Sequence, residues 1–199
     1  MMLIEETTVP SAALPVAQMK DHMRLGSGFS DDGLQDPVLE TYLRAALAAI
    51  EARTGKILVE REFSWTLTAW RDCRRQPLPV APVNAVTSVT LIAMNGEETI
   101  ADDAAWSLQP DNQRPCLRAT GASLPACPAG GSIRIGFLAG FGPDWGDLPA
   151  DLAQAVMMLA AYYYEYRHDT AQARGLLPFG VSSLIERYRT VRMFMGGQR

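Results

Sequence analysis

Cysteine, lysine and histidine are all scarce in this chain of 199 residues: Cys73, Cys116 and Cys127, Lys20 and Lys56, His22 and His168. The cysteines are odd in number, form no CxxC pair and have no histidine nearby, which excludes a disulfide framework and a structural zinc site and points to a reducing cytoplasm. With only two lysines against sixteen arginines, the cationic bias reads as a GC-rich coding preference and carries no argument for phosphate binding. Each histidine falls at or near an expected helix end without a catalytic partner; His168, followed by Asp169, is explained by the dipole of the helix it terminates. A long apolar run is missing too. The most hydrophobic stretch, Leu152 to Tyr164, is interrupted by Gln154 and followed by Glu165 and Arg167, short of the ~18 residues a membrane span needs. The amino terminus, MMLIEETTVPSAALP, carries Glu5 and Glu6 and no basic region, unlike a secretory signal. A soluble protein is expected.

The motif inventory is equally spare. No GxxxxGK[ST] or GxGxxG occurs, and Gly136 to Gly140 with Gly142 lacks both a lysine and an immediately following helix, so it reads as a strand-to-loop bend. Asp31-Asp32 and Asp102-Asp103 lack the further spaced oxygens of a calcium loop. No catalytic residue, metal site or cofactor is expected.

What is present is a core. Hydrophobic residues make up 48% of the chain, enough for one globular domain with a small subdomain. Pro15 starts a short helix with Val16, Met19 and Met23, ending near Leu25 or Gly26. After the polar loop GSGFSDDGLQDP, Asp36 serves as N-cap and Pro37 as first helical residue. Leu39, Leu43, Ala46, Leu47 and Ile50 then form one stripe of a helix that Gly55 stops. From Ile57 to Ala139 the period shifts to two. Arg61, Phe63, Trp65, Leu67 and Ala69 alternate against Glu62, Ser64, Thr66 and Thr68, and Val86 to Met94 runs into Asn95-Gly96 and returns over Glu98 to Ile100 as a hairpin. Trp106–Leu108, Cys116–Arg118 and Ser132–Leu138 add short strands.

Beyond the glycines at 140, 142 and 146, Pro149 and Asp151 open a helix running to about Arg167. Apolar or aromatic side chains occupy nearly every face of it between Leu152 and Tyr164, whereas a surface helix needs one stripe. Neighbouring copies of the chain or the subunit's own core must cover the rest. Tyr162, Tyr163 and Tyr164 point ~100° apart, so they pack rather than stack bases as one platform. The turn Pro178-Phe179-Gly180 precedes a last helix, capped by Ser182 or Ser183 and extending through Arg189. From Arg174 to Arg199 five arginines face the single acid Glu186, making this segment +4 and the remainder −8 of a net −4. Such a tail suits an acidic protein surface, or nucleic acid. Its guanidinium forks alternate with apolar anchors, as in groove insertion.

In order and spacing these elements resemble the head-tail connector, or adaptor, proteins of long-tailed phages. The resemblance rests on PVAQMKDHMRL, VLETYLRAALAAIEARTGKIL with EREFSWTLTAW, PLPVAPVNAVTSVTLI, IRIGFLAGFG, DLPADLAQAVMMLAAYYYEYR and GLLPFGVSSLIERYR, and extends to the adaptor of a gene transfer agent, a domesticated phage-like DNA carrier. It implies an α+β fold: a helical bundle with an inserted antiparallel β-subdomain and an extended C-terminal helical tail. The divisions are residues 1–56 for the first bundle helices, 57–139 for the β-subdomain, 140–175 for the long central helix and 176–199 for a docking tail. It further implies a ring of about twelve subunits beneath a portal protein, followed by a stopper, with DNA passing through without specific binding. Portal docking maps to Leu184, Ile185, Arg187, Tyr188, Arg189, Val191, Arg192, Met193 and Phe194, and subunit packing to Leu152, Val156, Leu159, Tyr162, Tyr163 and Tyr164. The implied location is the cytoplasm during assembly and then the particle neck. The competing readings are a stopper or tail-completion protein of the same neck, with Gly26 to Gly33 as plug loop, and a small DNA-binding regulator or hydrolase.

Overall fold

A computed structural model describes residues 2–23, 33–167 and 177–189. Among them are four α-helices and two antiparallel sheets, a mixed α/β architecture: α1 (Val16–His22), α2 (Asp36–Thr54), α3 (Ala150–Glu165) and α4 (Phe179–Ile185), with strands β1 (Met2–Glu5), β2 (Arg61–Leu67), β3 (Arg75–Pro77), β4 (Val83–Ile92), β5 (Glu98–Ile100), β6 (Trp106–Gln109), β7 (Cys116–Ala119) and β8 (Ser132–Ala139). One sheet has the order β1-β2-β8-β4-β5 and the other β3-β7-β6.

The α2 stripe is buried as its period requires, at Leu39, Leu43, Ala46, Leu47 and Ile50, and Gly55 ends the helix in the left-handed conformation. Its start differs from expectation. Asp36 is the first helical residue rather than the cap, and its carboxylate pairs with Lys20 Nζ at 2.5 Å, tying α1 to α2. The end of α1 expected near residues 25–26 lies outside the described residues; its regular part closes at His22. Helices α2 and α3 run antiparallel, with Tyr42 near the start of one meeting Tyr164 near the end of the other, rings edge to face at 5.9 Å. Leu152, Ala155, Val156, Leu159 and Ala160 of α3 share one core with the α2 stripe, Met19 of α1, and Val181 and Ile185 of α4.

A second core fills the β layer. Strand β8 alternates, burying Ile133, Ile135, Phe137 and Ala139, and its neighbour β2 places Leu67, Trp65 and Phe63 opposite the first three. Phe63 and Phe137 stack at 5.8 Å. Leu117 of β7 and Leu108 of β6 join this cluster, so the small sheet packs on the large one. The hairpin turns at Asn95-Gly96, Gly96 having φ of 85°.

Gly136 is inside β8, within the expected Ser132–Leu138 strand: opposite it β4 is bulged between Val86 and Ser88, and a Cβ at Gly136 would stand 2.7 Å from Thr87 Oγ1 and 2.8 Å from Ser88 Oγ. The bend falls at Gly140, whose φ is 144°. Residues 2–5, which show no period in the sequence, add an edge strand to β2. Ser182 and Ser183 lie within α4, which begins after Pro178, so neither caps it.

Candidate docking surfaces

Several chemistry-bearing side chains of the described residues are used inside the subunit. Asp102 accepts the Ala104 backbone N–H at 3.0 Å, a turn cap. Lys56, 1% exposed, donates from Nζ to the Asn112 carbonyl at 2.6 Å and to Gln113 Oε1 at 2.7 Å, pinning the loop between β6 and β7 to the end of α2. Burial pushes its pKa down and Asp111 partly offsets that. Among the described residues no group of three or more His, Cys, Asp or Glu is arranged to hold a metal ion. No described helix is long and apolar enough to cross a membrane. His168 and the Asp31-Asp32 pair lie outside the described residues, as does the stretch from Thr170 to Arg174.

Of the residues expected to pack subunits together, Leu152, Val156 and Leu159 are wholly inside this subunit's own core. Tyr162, Tyr163 and Tyr164 are half-buried against the same core and point different ways: Tyr164 onto Tyr42, and Tyr162 onto Tyr166 with centroids 4.7 Å apart. Burial raises the Tyr163 pKa. Large apolar surface is left at Tyr166, at Phe179, which is 89% exposed, and at Leu34 and Val38 near the start of α2.

The described part of the tail is folded, not extended. Helix α4 returns antiparallel along α3, close enough that a Cβ at Gly180 would reach within 2.8 Å of Met158 Cε. A 3-10 turn over Glu186–Tyr188 then aims Tyr188 at the first turn of α3, where its hydroxyl donates to Asp151 Oδ1 at 2.8 Å and its ring stands edge-on to Phe141 at 6.4 Å. Arg187 Nε is 2.9 Å from Asp151 Oδ2, and its guanidinium lies over the Tyr188 ring at 4.7 Å. Burial and the bond to Asp151 raise the tyrosine pKa, against the opposing effect of Arg187. Of the residues expected to dock, Ile185 and Tyr188 are buried in the subunit's own core. Leu184 is half-buried against that core, Arg187 and Arg189 are exposed, and Val191, Arg192, Met193 and Phe194 lie outside the described residues.

This latch gives a measurable expectation. Tyr188→Phe removes a hydrogen bond to a carboxylate and should lower unfolding stability by about 1–2 kcal/mol. Arg187→Ala, at an exposed and solvent-screened pair, should change it less. Urea midpoints of the two variants test the order; equal losses would contradict it.

The described residues form a mixed α/β subunit with several large apolar side chains left exposed, among them Leu34, Val38, Tyr166 and Phe179. No protein-family model matches the chain, and no curated protein matches it. Solved structures do. A chain in the neck of an empty gene transfer agent particle, computed with sixfold symmetry, is 55% identical with a TM-score of 0.90. One in the virion of a native gene transfer agent particle is 56% identical at 0.87, and one in the neck of a native particle, computed with twelvefold symmetry, is 52% identical at 0.84. Each match covers 98% of this chain and 99% of the other. The chain belongs to this family of gene transfer agent neck proteins.

Proposed function

We propose that the protein is the head-tail adaptor of a gene transfer agent particle: a ring of about twelve copies seated under the portal, joining the DNA-filled head to the next neck protein. The observation that carries this reading is the full-length similarity to chains of gene transfer agent necks computed with sixfold and twelvefold symmetry. The helical layer forms the ring body, residues 57–139 supply its β-subdomain, and the tail reaches the portal. Because Ile185 and Tyr188 are committed to the core, docking falls to exposed Arg187 and Arg189 together with residues 190–199. Assembly takes place in the cytoplasm, before the ring becomes part of the neck. The acidic body suits a conduit through which DNA passes unbound, since phosphate contacts would slow it. The ring turns over no substrate.

The second reading, a stopper, needs a plug loop, for which the glycine-rich segment 26–33 is the compositional candidate. Mass photometry of the purified protein with the portal protein encoded beside it, at physiological salt, tests the assignment. Joining in about twelvefold stoichiometry is expected for an adaptor. Binding only to a preformed portal-adaptor complex would mark a stopper, and a monomer that joins neither would overturn both.

A further inference from the structure

Among the described residues the large sheet ends on two edges: strand β1 pairs only with β2 and β5 only with β4. All residues of both strands are exposed, including Met2 at 57%, Leu3 and Ile4 at 40%, and Ile100 at 73%. Both strands are short and each carries one glutamate, but neither MLIE nor ETI contains a lysine, a proline or a bulge, the further devices that keep an edge from pairing with another chain.

The outward hydrogen-bonding groups can be identified residue by residue. Glu6 N–H donates inward to the Glu62 carbonyl at 2.8 Å, so by strand alternation Met2 and Ile4 also face β2, while Leu3 and Glu5 direct their N–H and C=O away from the sheet. At the other edge Ala101 N–H donates inward to the Val89 carbonyl at 2.8 Å, which leaves Glu98 and Ile100 facing outward. These two sets fit each other in one direction. With strands parallel and Leu3 opposite Thr99, Leu3 N–H meets the Glu98 carbonyl, Ile100 N–H meets the Leu3 carbonyl, and Glu5 N–H meets the Ile100 carbonyl.

The side chains agree with that register. Leu3 lies opposite Trp65, and Thr99 opposite Leu91, whose own partner is Ile133, so both are on the face toward the β-layer core. Ile4 and Ile100 are both on the other face, where the register sets them side by side. Antiparallel pairing would oppose Leu3 and Ile100, which belong to opposite faces. Polarity is the last constraint: in an all-antiparallel sheet of order β1-β2-β8-β4-β5 the two edge strands have the same polarity, on which the sheet's own twist is superposed. The rotation between neighbours in a ring of about twelve, roughly 30°, does not reverse that polarity, so the pair is parallel. A head-to-tail ring contact needs two different surfaces on one subunit, and these edges supply them.

We propose that β1 of each subunit pairs in parallel with β5 of its neighbour, with Leu3 opposite Thr99 and Ile4 against Ile100, so that the sheets run on from copy to copy. This rests on the ring reading above; its occupant is a second copy of this chain. The test uses assembled particles carrying Leu3→Cys and Thr99→Cys in a Cys73→Ser background, treated with a short bis-maleimide. The paired edges should yield covalent multimers climbing in single-subunit steps, absent from either single-cysteine variant. Leu3→Pro removes one outward N–H from an edge strand, where proline is tolerated, and should keep the subunit's melting temperature while reducing ring formation at least tenfold. Rings seen by mass photometry without the cross-linked ladder, or a Leu3→Pro protein that forms rings normally, would overturn the strand pairing and leave the ring standing; particles without any ring of this chain would overturn both.

Discussion

Arg61→Met is expected to cost about 3–5 kcal/mol of folding stability near neutral pH, the loss typical of removing one partner from a buried ion pair. Arg61 is 8% exposed, and its Nη2 donates to both carboxylate oxygens of Glu51 at 2.7 Å while Nη1 reaches Glu5 Oε1 at 2.9 Å. The same guanidinium lies 5.5 Å over the Phe63 ring, and Glu51 also accepts the Leu58 backbone N–H at 2.8 Å. One side chain thus ties the last turns of α2 to β1 and β2, where helical layer and sheet meet. Methionine would leave Glu51 buried without its cation.

The pH dependence has a definite sign. Burial outweighs the lowering influence of Arg61, so Glu51 titrates above its ordinary 4.5 in the folded protein. A carboxyl group raised in this way holds its proton more firmly folded than unfolded. Its stabilising contribution is complete below 4.5 and disappears as pH climbs through the folded value. Without Arg61 the shift grows, so the deficit of Arg61→Met should be smaller at pH ~5 than at pH ~8. Denaturant titrations at the two pH values measure it, and Arg61→Met with Glu51→Leu should recover much of the loss by removing the stranded charge. A wild-type midpoint for the single variant at both pH values would sink the account.

Ending the chain at Arg189 is expected to leave the subunit folded and its rings intact, yet to produce heads without tails. Among the described residues the anchors of the tail to the body precede the cut: Val181 and Ile185 in the helical core, and Tyr188 on Asp151 and Phe141. What is lost is Val191, Arg192, Met193, Phe194 and Arg199, apolar groups alternating with guanidinium forks suited to carboxylates on a portal surface. Melting temperature reports the fold, mass photometry the ring, and electron microscopy of particles the junction. Tailed particles at normal frequency would remove docking from this segment, and a collapsed melting temperature would show that residues 190–199 belong to the core.

Periodicity was the legible part of this chain. The α2 stripe, the alternation of β2 and β8, the Asn95-Gly96 hairpin and the opening of α3 near Pro149 all follow from local spacing and turn chemistry, which need no knowledge of what lies opposite. Even Arg61 was visible at an inward position, in step with Phe63, Trp65 and Leu67. Its partner was not, because Glu51 sits ten residues earlier on another element and only the packing of α2 on the sheet brings them together. Strand β1 was missed for a related reason: four residues paired along one edge and exposed on both faces bury too little to impose a period.

The tail shows the same limit from the other side. Composition marked it as a basic, amphipathic segment, but the direction in which Ile185 and Tyr188 point depends on α4 folding back along α3 and on Asp151, more than thirty residues earlier in the chain. The sequence by itself determined the positions of most helices and strands, the hydrophobic stripes and the charge asymmetry, since each arises from neighbours along the backbone. Only the tertiary structure decided which apolar residues of α3 and the tail are spent inside the subunit, which ion pair joins the layers, and which sheet edges remain open. Those are outcomes of long-range packing, where one side chain can be covered only once.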